Sequence, residues 1–262
     1  MAHIPAAVGL THAQIDITDP ENLEQVLREL NINRLINTAA YNLVDAAEDN
    51  PESAFAVNAF GARNIAQWCD RNKVALLHVS TDHVFGNVGE STPLKETDHP
   101  LPNSVYGASK LAGEYFVQAE CVNHYIVRTC GLYGHAATRA KGNFVNTMQR
   151  LGTERDELKV VADQYCTPTS TVDLAKAIAK LIETEQFGTY HMTNSGETTW
   201  YDFAAEIFRI TEIEVDLLPI STEEFNAKAA RPKYSVLNCE KLEATIGQKT
   251  RSWQEALAEY TQ

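Results

Sequence analysis

Through the first half of the chain, short apolar runs alternate with longer stretches whose apolar residues recur at helical spacing. Residues 34–40 (RLINTAA), 74–80 (VALLHVS) and 125–132 (YIVRTCGL) are too short for helices and read as buried strands. Between them, 51–71 and 104–119 read as helices, the first with Asn50 as its expected cap and Pro51 at the first helical position. Strands and helices alternating at this distance predict βαβ units and a parallel sheet covered on both faces.

The second half is less regular. Strand-like runs fall at 158–161, 188–193 and 215–220, and helical spacing at 171–185, 200–211, 240–246 and 252–260. Trp200, Tyr201 and Phe203 open one of these helices and are expected to pack against a sheet. The strict alternation stops near 134–142 (GHAATRAKG), the nearest thing to a boundary in the chain.

Composition narrows the class. The 262 residues carry 22 Lys+Arg against 35 Asp+Glu, a formal net charge of −13, which repels a phosphate backbone and argues against nucleic-acid binding. No apolar run reaches the roughly 18 residues of a membrane span, so a soluble, cytoplasmic protein is expected. Five scattered cysteines without a Cys-x-x-Cys pair read as free thiols, and the histidines lack ligand spacing, so no metal is expected. Acidic pairs such as Glu48-Asp49 read as solvated faces.

Three strand ends carry candidate chemistry. Tyr106-Gly-Ala-Ser-Lys110 puts a phenol and an ammonium on one helix face, where a lysine cation lowers a tyrosine's pKa and makes an acid–base pair. With ten tyrosines in the chain, that spacing alone also fits a surface tyrosine beside a solvated lysine. Ser80, Thr81 and Asp82 directly follow a buried strand, where ligands of open parallel sheets sit; the plainer reading is a capped turn. Asn37-Thr-Ala-Ala-Tyr41 ends another strand in small residues, fitting either close ligand approach or tight packing.

With these residues in place, the sequence resembles the extended short-chain dehydrogenase/reductases and, among them, the dTDP-4-dehydrorhamnose reductases. The resemblance is carried by IDITDP, NTAAYNLVDAAED, AFAVNAFGARN, VSTDHVF, VYGASKLAGE, IVRTCGLYG, TPTSTVDLA, GTYHMTNSGETTWYDFA and ARPKYSVL, and it runs from Asp16 to the C-terminus, a span of about nine tenths of the chain. It implies an α/β, Rossmann-like doubly wound parallel sheet with a smaller C-terminal substrate-binding lobe. Residues 1–135 would form the dinucleotide-binding region and 136–262 mostly the substrate lobe, interleaved with the sheet.

The resemblance further implies reduction of dTDP-4-dehydro-6-deoxy-L-mannose to dTDP-L-rhamnose with NADPH, NADH being the alternative, in cell-surface polysaccharide synthesis. Tyr106 would protonate the sugar's C4 oxygen, Lys110 would hold the nicotinamide ribose and lower the tyrosine pKa, and Thr81 would bond the carbonyl oxygen. Asp16 and Ile17 would line the adenine end, and Ala39, Ala40 and Tyr41 the middle of the cofactor. Asn58 would organise a water beside the lysine. Asn42 and Asp82 would face the dTDP-linked 4-keto-6-deoxy sugar, with Arg231 and Lys233 as candidate partners for its diphosphate; the oligomeric state is left open, a homodimer being one candidate.

Three departures from the family pattern stand out. Gly9 is the only glycine before Gly61, so the glycine-rich turn that takes a pyrophosphate is expected to be missing, leaving neighbouring strand edges open. Gly131 stands where the family has a tryptophan, and His83 where it has a tyrosine, so affinity or substrate choice is expected to differ. The competing readings are a non-catalytic homologue that binds sugar nucleotides or regulates another enzyme, and an epimerase or dehydratase of the same fold.

Overall fold

The computed structural model describes residues 4, 7–86, 91–136 and 142–262. Four parallel strands form the main sheet, in the order Arg34–Asn37, Ala75–Thr81, His124–Thr129, Gly188–His191. Each is short and apolar because both faces are covered. Leu76 and Ile126 enter one core with the helices Pro20–Leu27, Ala62–Asn72 and Val105–Glu120. Their neighbours Leu77, Tyr125 and Val127 enter the opposite core with Thr171–Leu181 and Glu240–Ile246.

A third core lies around the parallel pair Glu157–Val161 and Asp216–Ile220. Phe144–Glu154, Trp200–Thr211 and Trp253–Thr261 cover it, and Phe203 and Ile207 are fully buried there. The Trp200, Tyr201 and Phe203 cluster therefore packs on this smaller sheet. Gly188–His191 belongs to the second half of the sequence yet completes the first-half sheet, so the two halves interleave.

Arg34–Asn37 pairs only with Ala75–Thr81 and forms an edge of the sheet among the described residues. The 51–72 helix is continuous but changes winding: Pro51–Phe55 is α-helical, Ala56–Gly61 is a π-helical turn and Ala62–Asn72 is α-helical again. Asn50 does not cap it. Its side-chain amide donates to the Ala46 carbonyl across 2.9 Å, because a helix at Val44–Asp49 already ends there. The expected boundary near 134–142 falls mostly outside the described residues.

Candidate active site

Parallel pairing brings the carboxyl ends of three strands to one rim. Asn37 lies opposite His78, and Thr81 opposite Thr129, in register. The Val105–Glu120 helix starts over this rim, with Ser104 as its cap, accepting from the Gly107 N–H at 3.1 Å. Glu48 completes the helix start by accepting from the Val105 N–H at 2.9 Å, so it is a helix partner rather than a solvated surface charge. Gly107 lets the helix come close: a Cβ there would stand 2.5 Å from the His83 carbonyl oxygen.

Tyr106 projects from this first turn onto the strand end. Its phenol lies beside the Thr81 side chain and its ring meets His83 edge-on, with centroids 5.4 Å apart. Burial pushes the phenol pKa up to about 12, and the Thr81 side chain opposes that rise. The lysine-lowered phenol expected from the sequence is not what this arrangement produces. Thr81 itself donates to Asp82 Oδ1 at 3.1 Å and accepts from the His83 N–H at 3.2 Å. Asp82 is buried, and its Oδ2 accepts from the Ser235 hydroxyl at 2.6 Å. That bond ties the polar segment around 235 to the turn that follows the Ala75–Thr81 strand.

Lys110 is 2% exposed, one turn below Tyr106. Its Nζ donates to the Val79 carbonyl at 2.7 Å and lies 3.3 Å from His78 Nε2. Desolvation lowers its pKa to about 8 despite the neighbouring Glu114 carboxylate. Glu114 is itself gripped by Arg128, whose Nη2 lies 2.6 Å from Oε2, and by the Ser80 hydroxyl. A buried ion pair therefore clamps the helix to two adjacent strands.

Asn58 sits in the π-helical turn. Its Oδ1 accepts from the Tyr41 N–H at 2.8 Å, and its Nδ2 donates to the Tyr41 carbonyl at 3.1 Å and to Ser109 Oγ at 2.9 Å. Both amide hydrogens are thus committed, and Asn58 clamps the 39–42 loop to the Val105–Glu120 helix. Ala39 and Asn42 are exposed on that loop, with Ala40 and Tyr41 half-buried.

The other candidates lie farther along the rim. Asp16 accepts from the Thr18 N–H and hydroxyl at 2.9 and 2.7 Å, which keeps its carboxyl below the usual range. Ile17 is a core residue whose side chain occupies the room a Cβ on Gly61 would need. Arg231 is no free cation: its Nη2 lies 3.0 Å from Asp45 Oδ2 and its Nη1 donates to the Ala229 carbonyl at 2.7 Å. Lys233 is exposed. Gly131 has φ +54°, and a Cβ there would stand 3.2 Å from Pro168 Cα and 3.3 Å from the Trp200 ring.

Sequence reasoning gave no site role to Ser235, His78 or Glu48 and took Asn37 only as part of a strand end. Ser235, Asn37 and Glu48 lie inside quoted motifs, but no local signal showed that Ser235 would meet Asp82. Two polar atoms at the rim, His83 Nδ1 and Thr129 Oγ1, are buried without a protein partner. Such atoms are costly unless a ligand or water satisfies them.

The chain is similar to several proteins in sequence and in fold. A solved dTDP-4-dehydrorhamnose reductase from Clostridium acetobutylicum is 44% identical, with a TM-score of 0.92, covering 97% of this chain and 89% of that one. A dTDP-4-dehydrorhamnose reductase from Bacillus anthracis in complex with NADP is 42% identical, with a TM-score of 0.92, covering 96% and 88%. The spore coat polysaccharide biosynthesis protein SpsK of Bacillus subtilis is 36% identical over 255 residues, 97% of this chain and 88% of its own length. The model of the RmlD substrate binding domain matches residues 3–262, and the chain belongs to that family.

Proposed function

We propose that this protein reduces a dTDP-linked 4-keto-6-deoxy sugar, dTDP-4-dehydro-6-deoxy-L-mannose, to dTDP-L-rhamnose. The observation that carries the reading is the Tyr106 phenol placed beside Thr81, with its ring against His83, at the strand end. Around it, His83 Nδ1 and Thr129 Oγ1 lack protein partners, and Ala39 and Ala40 add almost no side chain to the loop. These residues fit the nicotinamide end of NADPH and a polar sugar. NADPH, when bound, supplies hydride to C4.

With a pKa of about 12, Tyr106 keeps its proton throughout the neutral range and holds it ready for the sugar's C4 oxygen. The carbonyl thus gains a hydride and a proton and becomes an alcohol. Thr81 aims the phenol, and the Asp82–Ser235 bond keeps Thr81 in place. Lys110 and the Asn58 clamp secure the ribose end of the site. In this reading the residues before 136 carry the cofactor side and those after it mostly the sugar side.

Two coarser expectations belong to the same proposal. Among the described residues no helix is long and apolar enough to cross a membrane, which agrees with a cytoplasmic enzyme. Phe60 and Tyr115, each about half exposed, lie on adjacent helices, and this apolar face supports a homodimer.

The test is Tyr106→Phe, assayed by NADPH oxidation with the keto sugar. The expected loss in turnover is about 10²- to 10⁴-fold, with NADPH still bound. Unchanged turnover would refute the assignment of Tyr106 as the acid.

A further inference from the structure

His78 is buried in the middle of the Ala75–Thr81 strand, one register step across from Asn37, and plays no part in the reaction described above. Both of its ring nitrogens face nitrogen. On one side, Asn37 Nδ2 lies 3.0 Å from Nδ1. The amide orientation is fixed, because Asn37 Oδ1 already accepts from the Ala39 N–H at 3.0 Å. An amide N–H only donates, so Nδ1 must be the acceptor, and a neutral ring then carries its proton on Nε2.

On the other side, Nε2 lies 3.3 Å from Lys110 Nζ. An ammonium has hydrogens and no lone pair, so it cannot accept from Nε2–H. The two groups form a hydrogen bond only when Nζ is an amine, which keeps its own N–H on the Val79 carbonyl. We propose that Asn37 and His78 form a positioning relay that fixes the Lys110 side chain and ties its hydrogen-bonding state to the backbone at Ala39.

Burial acts in the same direction. It holds His78 well below the usual histidine range and lowers Lys110 to about 8. The charged groups around the relay are few. Glu114, on the lysine's own helix, favours the ammonium, and it is already paired with Arg128 from the His124–Thr129 strand. From the strand below, Lys110 meets only His78 and the Val79 carbonyl. The relay thus begins at an exposed residue of the loop proposed to line the cofactor and ends at the lysine.

The inference rests on the reductase reading for the purpose of Lys110, but its test does not. Histidine ¹⁵N and lysine ε-¹³C spectra of the ligand-free chain report both ends of the relay directly. His78 is expected as a neutral ring protonated on Nε2, with Lys110 titrating about two pH units below an ordinary lysine. Asn37→Asp still accepts from Ala39 but also demands a proton on Nδ1. It should reverse the tautomer, offer Nε2 as an acceptor and raise the lysine titration by about one unit or more. The pH profile of kcat/KM should move with it.

A His78 protonated on Nδ1, or doubly protonated, in the unsubstituted chain would overturn the relay, as would a reversed tautomer in Asn37→Asp with an unmoved lysine. If Asn37→Asp does not fold, the spectrum of the unsubstituted chain decides the tautomer, and His78→Gln decides whether Lys110 titration depends on the ring. Inactivity toward the keto sugar alongside the expected tautomer would count against the reductase reading alone.

Discussion

The Ser235 hydroxyl donates to Asp82 Oδ2 across 2.6 Å, joining two residues 153 positions apart at the mouth of the site. Asp82 Oδ1 in turn accepts from Thr81, which lies beside the Tyr106 phenol. The surroundings of Tyr106 therefore depend on a segment that contributes nothing to the main sheet.

Removing that donor has a defined cost. Ser235→Ala leaves a buried carboxylate oxygen short of a hydrogen bond, and the expected destabilisation is about 1–3 kcal/mol. Denaturant unfolding measures it, and kcat/KM for the keto sugar should fall as well because Thr81 loses its support. A stability change within about 0.5 kcal/mol of zero would mean that Asp82 finds another donor.

The Glu114–Arg128 pair makes a sharper demand. Both side chains are almost fully buried, so Arg128→Met strands a carboxylate that keeps the Ser80 hydroxyl and the nearby Lys110 but loses its ion-pair partner. The expected loss is about 3–5 kcal/mol, and Glu114→Leu combined with Arg128→Met should recover part of it. A single substitution costing under about 1 kcal/mol would show that water reaches the pair.

Lys110 gives a pH dependence with a definite sign. Its folded pKa of about 8 lies below its ordinary value of 10.5, so between these limits the unfolded chain binds the extra proton and stability rises with pH. Below about pH 8 the chain bears the full cost of burying the ammonium. Relative to Lys110→Met, the wild-type chain should gain on the order of 3 kcal/mol as pH rises from 8 to 10.5. Tyr106 changes stability in the opposite sense from pH 10 upward, and because both chains carry it, its effect cancels in the comparison. A difference that does not vary with pH would contradict a buried, desolvated lysine.

Gly131 tests the departure beside the strand end. Its φ of +54° disfavours any side chain, and the nearest atoms belong to Pro168 and Trp200. Gly131→Ala should therefore cost about 1–2 kcal/mol from backbone strain, read as a lowered Tm. An unchanged Tm would mean that the turn relaxes freely.

Much of the fold was legible because its signals are local. The runs at 34–40, 74–80 and 125–132 became three of the four main-sheet strands, each ending within a few residues of the expected place. The helix bearing Tyr106 and Lys110 begins at Val105, capped by Ser104, as its spacing and polar start require. The chemistry of those side chains was less legible. Four-residue spacing predicts that Tyr106 and Lys110 share a helix face, but it does not say that Nζ turns to Val79 and His78 or that burial raises the phenol pKa. Likewise, nothing local told Asn58 to spend both amide hydrogens on Tyr41 and Ser109, or Arg231 to pair with Asp45.

The sequence by itself determined the alternation of strands and helices, the shared helix face of Tyr106 and Lys110, and the family. Periodicity, capping and motif spacing are properties of neighbouring residues, and they act before the chain is compact. Only the tertiary structure decided which polar groups meet: Ser235 with Asp82, Glu48 with the start of the Val105–Glu120 helix, and His78 with Asn37 and Lys110. Those partners lie tens to more than a hundred residues apart. What selects them is burial, which makes each unsatisfied donor or acceptor costly and so requires the packed chain to supply its match.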